Sequence, residues 1–367
     1  MHSLIMNFQA AFCAVFTLLW RDRYMDKKKL TAYLVTSLIV SVAVLVGCTF
    51  FGTADITFTQ TCQILLNKMF GLFSEEVAAL GSKGTIVWLL RFPRALLAFL
   101  VGGTLSLCGG VYQAIFKNPM ADPYVLGISS GAAFGATIGM VFNVSGSFLG
   151  QNMTSVLAFL FATVTVFFVY NIAKVGRSAH ITSLLLSGTA VSQFLTAIIS
   201  FLMLIYTTDM KKIYSWTLGS FSAKSWSHVI LVIPYIIIGS IIIFTYCRDL
   251  DIIMLGDDTA IRYGVNTEKT KKTLFLVTAL TMSACVSVSG IIGFVGLISP
   301  HIVRLFTGPK HKVLLPFSFL FGGVVMCVCD TIARSILGSE IPVGIVTAII
   351  GAPFFIYLLR AKKTEVM

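Results

Sequence analysis

Apolar runs recur along almost the whole chain, each about as long as a bilayer is thick, and nothing else restricts the fold as much. The clear runs are Leu30–Phe51, Phe92–Phe116, Tyr124–Phe142, Thr154–Ala173, Ile181–Tyr206, Trp226–Tyr246, Thr273–Val288, Gly290–Phe306, Leu314–Ile336 and Val343–Leu359. A helix needs about 20 apolar residues to cross the hydrocarbon core, so the pattern predicts an all-α, polytopic membrane protein with ten spans. Only 11% of residues are charged and 57% are hydrophobic, too little charge for a soluble domain of 367 residues. The 30 glycines often fall inside the apolar runs. In water each would weaken a helix by about 1 kcal/mol; in a bilayer small residues let helices approach closely, which reads as a packed bundle.

Net charge is +12. The basic residues are spread over short loops and form no stripe, which argues against nucleic acid as a partner. They follow the positive-inside rule. With ten spans both termini lie on one side, and placing them inside puts 19 of the 27 Lys and Arg residues in the cytoplasm. The expected order is N-in, C-in: an N-terminal extension over 1–29, a ten-helix transmembrane domain over 30–363 with one large cytoplasmic loop at 248–272, and a cytoplasmic tail at 364–367. The first 24 residues read as an upstream extension or an interfacial segment, with Met25 a second possible start. The eight cysteines lie mostly inside spans, with no Cys-x-x-Cys and no Cys/His ligand spacing. No metal site is expected; the cysteines read as small apolar packing residues.

The charges left on the outer side stand out. Arg91 and Arg94 flank Pro93 at the head of the second span, and Arg334 ends the ninth. Single arginines there can snorkel to head groups. A pair in Arg-x-x-Arg suits bidentate capture of carboxylates from a protein partner. Asp330 lies one helical turn before Arg334, where it is either a functional intramembrane acid or the partner of a structural pair. So few buried ionisable groups argue against a proton-coupled carrier, and no Ser/His or His-Glu-x-x-His arrangement suggests an intramembrane enzyme.

Irregular segments interrupt the spans. Asn118-Pro119 and Asp122-Pro123 predict a tight re-entry turn. Ser129, Ser130 and Gly131 follow on a small-residue face that either packs or lines a path. Pro300 kinks the eighth span beside His301, which reads as a structural histidine or a proton relay. The last span opens with Pro342 and Gly344. In the large loop, Gly256 permits a turn, Asp257 or Asp258 can cap a short helix, and Gly264 can end it. That helix, carrying Leu255, Ala260, Ile261, Arg262 and Tyr263, is either a docking knob or a solvated connection. No Gly-x-x-x-x-Gly-Lys-Ser/Thr occurs, so any ATP must be bound by another subunit.

In this order the pieces resemble the FecCD-type permease family, the membrane subunits of ABC importers for ferric siderophores, haem and vitamin B12. The resemblance is carried by Arg91-Phe92-Pro93-Arg94, Gln113, Asn118 through Pro123, Leu126 through Ala132, Gly293 through Leu297, Pro300 through Arg304, and Glu340 through Thr347 with Gly351-Ala352-Pro353. It implies a prokaryotic plasma-membrane protein with ten spans, paired with a second permease subunit (a copy or a paralogue), the path at their interface. It implies two ATPase subunits below, which bind the ATP and Mg, and an extracytoplasmic substrate-binding protein above. By similarity, Arg91, Arg94 and Arg334 receive that protein's acids, and the Leu255–Gly264 region couples to the ATPase. The outer gate would be the fifth span and the Lys211–Ser220 segment, with Met203, Tyr206, Met210 and Trp216 suiting a flat or bulky chelate or simply packing. An iron complex is the expected cargo, with cobalamin the alternative.

Overall fold

The computed structural model describes residues 27–364 except 53, 55, 74–79, 145, 149–150, 176–177, 180 and 337–339. The expected N-terminal extension up to residue 26 and the tail from 365 lie outside the described residues. Two short antiparallel pairs, Ser147–Phe148 with Gln151–Asn152 and Lys174–Val175 with Ser178–Ala179, tighten two of the loops. The rest of the regular structure is helical: α1 Lys27–Phe50, α2 Phe58–Phe70, α3 Phe92–Ile115, α4 Ile128–Val141, α5 Met153–Ala173, α6 Ile181–Ile205 and α7 Met210–Thr217. There follow α8 Trp226–Thr245, α9 Cys247–Ile253, α10 Asp257–Arg262, α11 Thr267–Ser289, α12 Val295–Thr307, α13 His311–Ser335 and α14 Val343–Thr364.

Among the described residues, seven helical stretches are long and apolar enough to cross a bilayer: Leu30–Phe50, Ser82–Ile115, Met153–Ala173, Ile181–Ile205, Trp226–Thr245, Thr267–Ser289 and His311–Ser335. Three further apolar helices, Ile128–Val141, Val295–Thr307 and Val343–Leu358, are shorter. The first two are short for local reasons. Gly127 at φ 81° separates α4 from a 3-10 turn at Pro123–Leu126. Residues 290–294, expected to be helical, are irregular, with Gly290 at φ 70° and Phe294 at φ 69°.

The second span also differs from expectation. Arg91 and Arg94 do not head a helix: the helix starts at Ser82 and runs through a π-helical stretch, Ile86–Arg91, straight into α3. Pro93 cannot donate to the previous turn and would break an ordinary α-helix. The wider π turn, in which Phe92 N–H donates to Val87 O, carries the chain past it. The arginines therefore sit inside a continuous helix of 34 residues.

α3 is the central pillar, with every residue from Val101 to Ile115 buried. It packs on α13 where Gly102 and Gly322 cross; a Cβ on Gly102 would run into the Gly322 carbonyl and the Met326 side chain. It packs on α12 through a second contact that depends on a proline. Pro300 cannot donate to the Gly296 carbonyl four residues back, and Gly109 of α3 lies against that carbonyl, where any Cβ would clash. Lipid gives no hydrophobic drive between helices, so this close backbone packing supplies the attraction. α6 contrasts with α3: only Leu184, Gly188, Leu195 and Ile199 of its 25 residues are buried.

Candidate functional site: two charged clusters at opposite ends of the pillar

Arg91, Arg94 and Arg334 are brought together and engaged within the chain. Asp330, on α13, is 1% exposed and takes a two-pronged contact from Arg94: Nη2 donates to Oδ1 at 2.9 Å and Nε to Oδ2 at 3.0 Å. The third prong, Nη1, donates to Glu340 Oε1 at 2.9 Å, and Glu340 is 39% exposed. The expected Asp330–Arg334 pair is present but loose, with Nε 3.8 Å from Oδ2. That is an ion-pair distance, too long for a hydrogen bond. Arg334 Nη2 instead donates to Cys48 O at 2.5 Å and Thr331 Oγ1 at 3.2 Å. Arg91 donates to Phe50 O at 3.2 Å and Ala54 O at 2.5 Å, fastening α3 to the end of α1. Burial pushes the Glu340 carboxyl up, but Ser222 and Arg94 outweigh it and hold the group below the usual carboxylate range.

The opposite end carries a second cluster around the large loop. Asp257 Oδ1 accepts from Lys117 Nζ at 2.9 Å and Oδ2 from Lys271 Nζ at 2.7 Å, joining the end of α3 to α10 and α11. The expected capping role of Asp257 or Asp258 does not occur. α10 starts on Gly256 at φ 122° with no side-chain cap, because the Asp257 carboxylate faces the two lysines. Burial pushes the Asp257 carboxyl up, and the two lysines outweigh this and lower it. Gly264 at φ 80° ends the helix as expected, with Val265 N–H closing onto Ala260 O at 2.9 Å. Ala260, Ile253 and Val265 form a small core. Leu255, Ile261 and Tyr263 point outward, 69%, 60% and 66% exposed, beside exposed Asp258 and Arg262. Asp251 accepts from the His311 backbone N–H at 2.9 Å and lies 2.6 Å from its Nδ1, tying α9 to α13.

The expected path residues form two groups. Ser130 is buried, with Oγ on Gly127 O and Ser192 Oγ, both at 3.1 Å, and Gly131 lies against Thr165; Ser129 is half-buried. These pack α4 against α5 and α6. Met203 and Trp216 pack with Ile199 and Ile213 at the corner of α6 and α7, where Tyr206 and Met210 are exposed. The motif residues shape the turns. Asn118 Oδ1 accepts from Met120 N–H at 3.0 Å, next to Pro119. Asp122 Oδ1 accepts from Tyr124 N–H at 2.8 Å, leading into Pro123. His301 is half-buried beside buried Pro300. Gln113 Nε2 donates to Leu297 O at 2.9 Å, a further tie from α3 to α12. Pro342 accepts from Ile345 N–H, and Gly344 lies against the Leu218 carbonyl. Among the described residues no three His, Cys, Asp or Glu side chains converge as metal ligands.

The model of the FecCD transport family matches residues 30–361. The chain belongs to the FecCD transport family. It is 40% identical over 282 residues to the cobalamin import system permease protein of Halobacterium salinarum, covering 77% of this chain and 75% of that one. It is 34% identical over 284 residues to the hemin transport system permease protein of Yersinia pestis, covering 76% and 84%. A solved metal-chelate type ABC transporter in an inward-facing conformation superposes with TM-score 0.78 at 28% identity, covering 90% of this chain and 99% of that one. This FecCD protein is thus an ABC-type permease subunit and a multi-pass protein of the prokaryotic plasma membrane. Sequence reasoning missed two partnerships in it, Arg94 with Asp330 and Glu340, and Asp257 with Lys117 and Lys271. For Arg94 and Asp330 the signal available was scarcity: an acid and a base buried in apolar runs must be paired.

Proposed function

We propose that the chain is the translocation subunit of an importer that carries an iron complex, a ferric siderophore or haem, into the cytoplasm. The observation that carries this reading is the apolar knob of Leu255, Ile261 and Tyr263, tied at its base by Asp257 to Lys117 and Lys271. Exposed apolar groups on such a base suit a protein partner. With no nucleotide-binding motif in the sequence, two separate ATPase subunits would dock there and supply ATP and Mg. Differential binding of the two states by ATP-loaded and free ATPase drives the change between outward- and inward-open forms.

In this reading the chain crosses the membrane ten times, N-in and C-in, the three shorter apolar helices completing the seven long ones. Two subunits pair, and Met203, Tyr206, Met210 and Trp216 contribute to the outer gate at the interface. An extracytoplasmic binding protein delivers the chelate and docks with its acids at the Arg91, Arg94 and Arg334 cluster. The contact of Asp330 with Arg94 supports this over a secondary carrier, since the one acid found deep in the spans is already neutralised. A second reading, cobalamin as cargo, is favoured by the name of the Halobacterium relative.

The test is accumulation of labelled haem iron, ferric siderophore iron and cobalamin in a strain lacking the gene and in the restored strain. Restored uptake of one iron form is the expected result. Restored uptake of cobalamin alone moves the cargo to the second reading. Uptake that survives loss of the partner ATPase and collapses with an uncoupler refutes the ABC mechanism for this chain.

A further inference from the structure

Arg94 holds two carboxylates of different kinds. Asp330 takes Nε and Nη2, is 1% exposed and lies on α13, locked against α3 at the glycine crossing. Glu340 takes only Nη1, is 39% exposed and precedes α14 on a loop. Removing one partner of a buried ion pair is strongly disfavoured; the Glu340 contact is part-buried, with its carboxylate open to solvent, and is the weaker of the two. The third prong of Arg94 is therefore the replaceable one.

Glu340 also holds a junction. Ser222, in the segment after α7, helps Arg94 hold the Glu340 carboxyl below the usual range. Two residues further on, Pro342 and Gly344 open α14, and Gly344 lies against the carbonyls of Leu218 and Ile291. Gly290 lies against the Trp216 carbonyl, and Ser220 N–H donates to Ser289 O at 2.7 Å. Three irregular segments, around 216–222, 289–294 and 340–344, so meet at one place. Ala223 and Phe294 there have positive φ, which their surroundings must hold. Glu340 ties this junction to the pillar through Arg94.

We infer that Glu340 is a built-in occupant of the docking site: an acidic side chain of the extracytoplasmic binding protein takes its place on Arg94, and the exchange frees the junction at the start of α14. This rests on the docking reading proposed above. The exchange conserves charge, one carboxylate leaving as another arrives. It also gives docking a mechanical consequence, because the freed loop runs directly into α14 and touches the segments that follow α7 and α11.

The test uses the full-length permease in lipid nanodiscs and, as probe, the extracytoplasmic binding protein that stimulates transport when reconstituted with it. Glu340→Gln keeps the shape and loses the charge. It should tighten binding roughly two- to fivefold, the range an exposed ion pair supplies as competitor. It should also speed amide exchange at Ser220 and Ile345. The docking site is tested separately with Arg94→Gln combined with Asp330→Asn, which removes the receptor charge and leaves no unpaired buried acid. That variant should lose binding at least tenfold. Lost binding in the double variant, with unchanged or weaker binding or unchanged exchange in Glu340→Gln, refutes the exchange and leaves docking standing. Unchanged binding in the double variant refutes the docking reading itself, and the exchange with it.

Discussion

Replacing Asp330 by Ala removes a carboxylate that receives two N–H groups of Arg94, at 2.9 and 3.0 Å, and stands 3.8 Å from Arg334. Both guanidiniums are nearly out of solvent, 10% and 4% exposed, so the lost carboxylate cannot be replaced by bulk water. Breaking a buried pair from one side costs about 3–5 kcal/mol. Here the low end applies. Arg94 keeps Glu340 on its third prong, and Arg334 keeps the Cys48 carbonyl. The expected loss is about 3 kcal/mol, roughly a hundredfold or more in the folded-to-unfolded ratio. Arg94→Gln with Asp330→Asn removes both charges and leaves a pair that can still hydrogen-bond, so it should lose less than Asp330→Ala alone. Reversible unfolding in mixed micelles of rising dodecyl sulfate fraction measures each variant against wild type. A loss under about 0.5 kcal/mol for Asp330→Ala, the range of ordinary surface substitutions, would show that the pair is not the closed contact described. A double variant as unstable as the sum of its single variants would show that the two side chains do not act as a unit.

Gly109→Val should prevent α3 from seating on the Gly296 carbonyl and lower the yield of monodisperse protein, a cost of about 1–3 kcal/mol or more read by the same unfolding titration. Ile261→Ser with Tyr263→Ser should leave stability within about 0.5 kcal/mol, since both are exposed, but should weaken co-purification of the ATPase and uncouple its hydrolysis from transport. The Asp257 carboxyl, held below its ordinary value, stabilises the α10 contact above the unfolded value of about 4, and this contribution is lost as pH falls through the lower folded value. Amide protection in α10 should therefore be flat from pH 8 to 5 and fall below about 4, and Asp257→Asn should abolish that step.

Among the described residues, hydropathy located the seven long apolar helices and the three shorter ones, because lipid demands apolar runs and no competing signal is that strong. Its errors fall where backbone geometry, not side-chain polarity, decides. Residues 290–294 are as apolar as a helix, yet Gly290 and Phe294 take positive φ and unwind them. Pro93 looked like a helix start, and a π turn carries the helix through it. Asp257 looked like a cap, and two lysines distant in sequence claim its carboxylate. Arg94 and Asp330 are 236 residues apart, so no local pattern could join them. The separate charges could be read as unusual; which charge faced which was set by the crossing of α3 and α13 at Gly102 and Gly322.

That crossing also explains why the chain keeps charge at these places at all. α3 and α13 meet through glycines, with backbone against backbone, so their relative position cannot shift without a clash. A charged pair buried on such a frame, Arg94 with Asp330, gives orientation and not movement. The exposed partners at either end, Glu340 on one side and Asp257 on the other, hang from the same helix through single hydrogen-bonded prongs of Arg94 and Lys117. Each connects the rigid pillar to a segment with strained or left-handed residues: Gly290 and Phe294 near Glu340, Gly256 and Gly264 beside Asp257. Buried contacts fix the pillar, and partly exposed ones fasten the segments that hang from it. α3 runs from Arg94 to within two residues of Lys117 as a single helix, so both attachments hang from one frame and their geometry is set by the same packing.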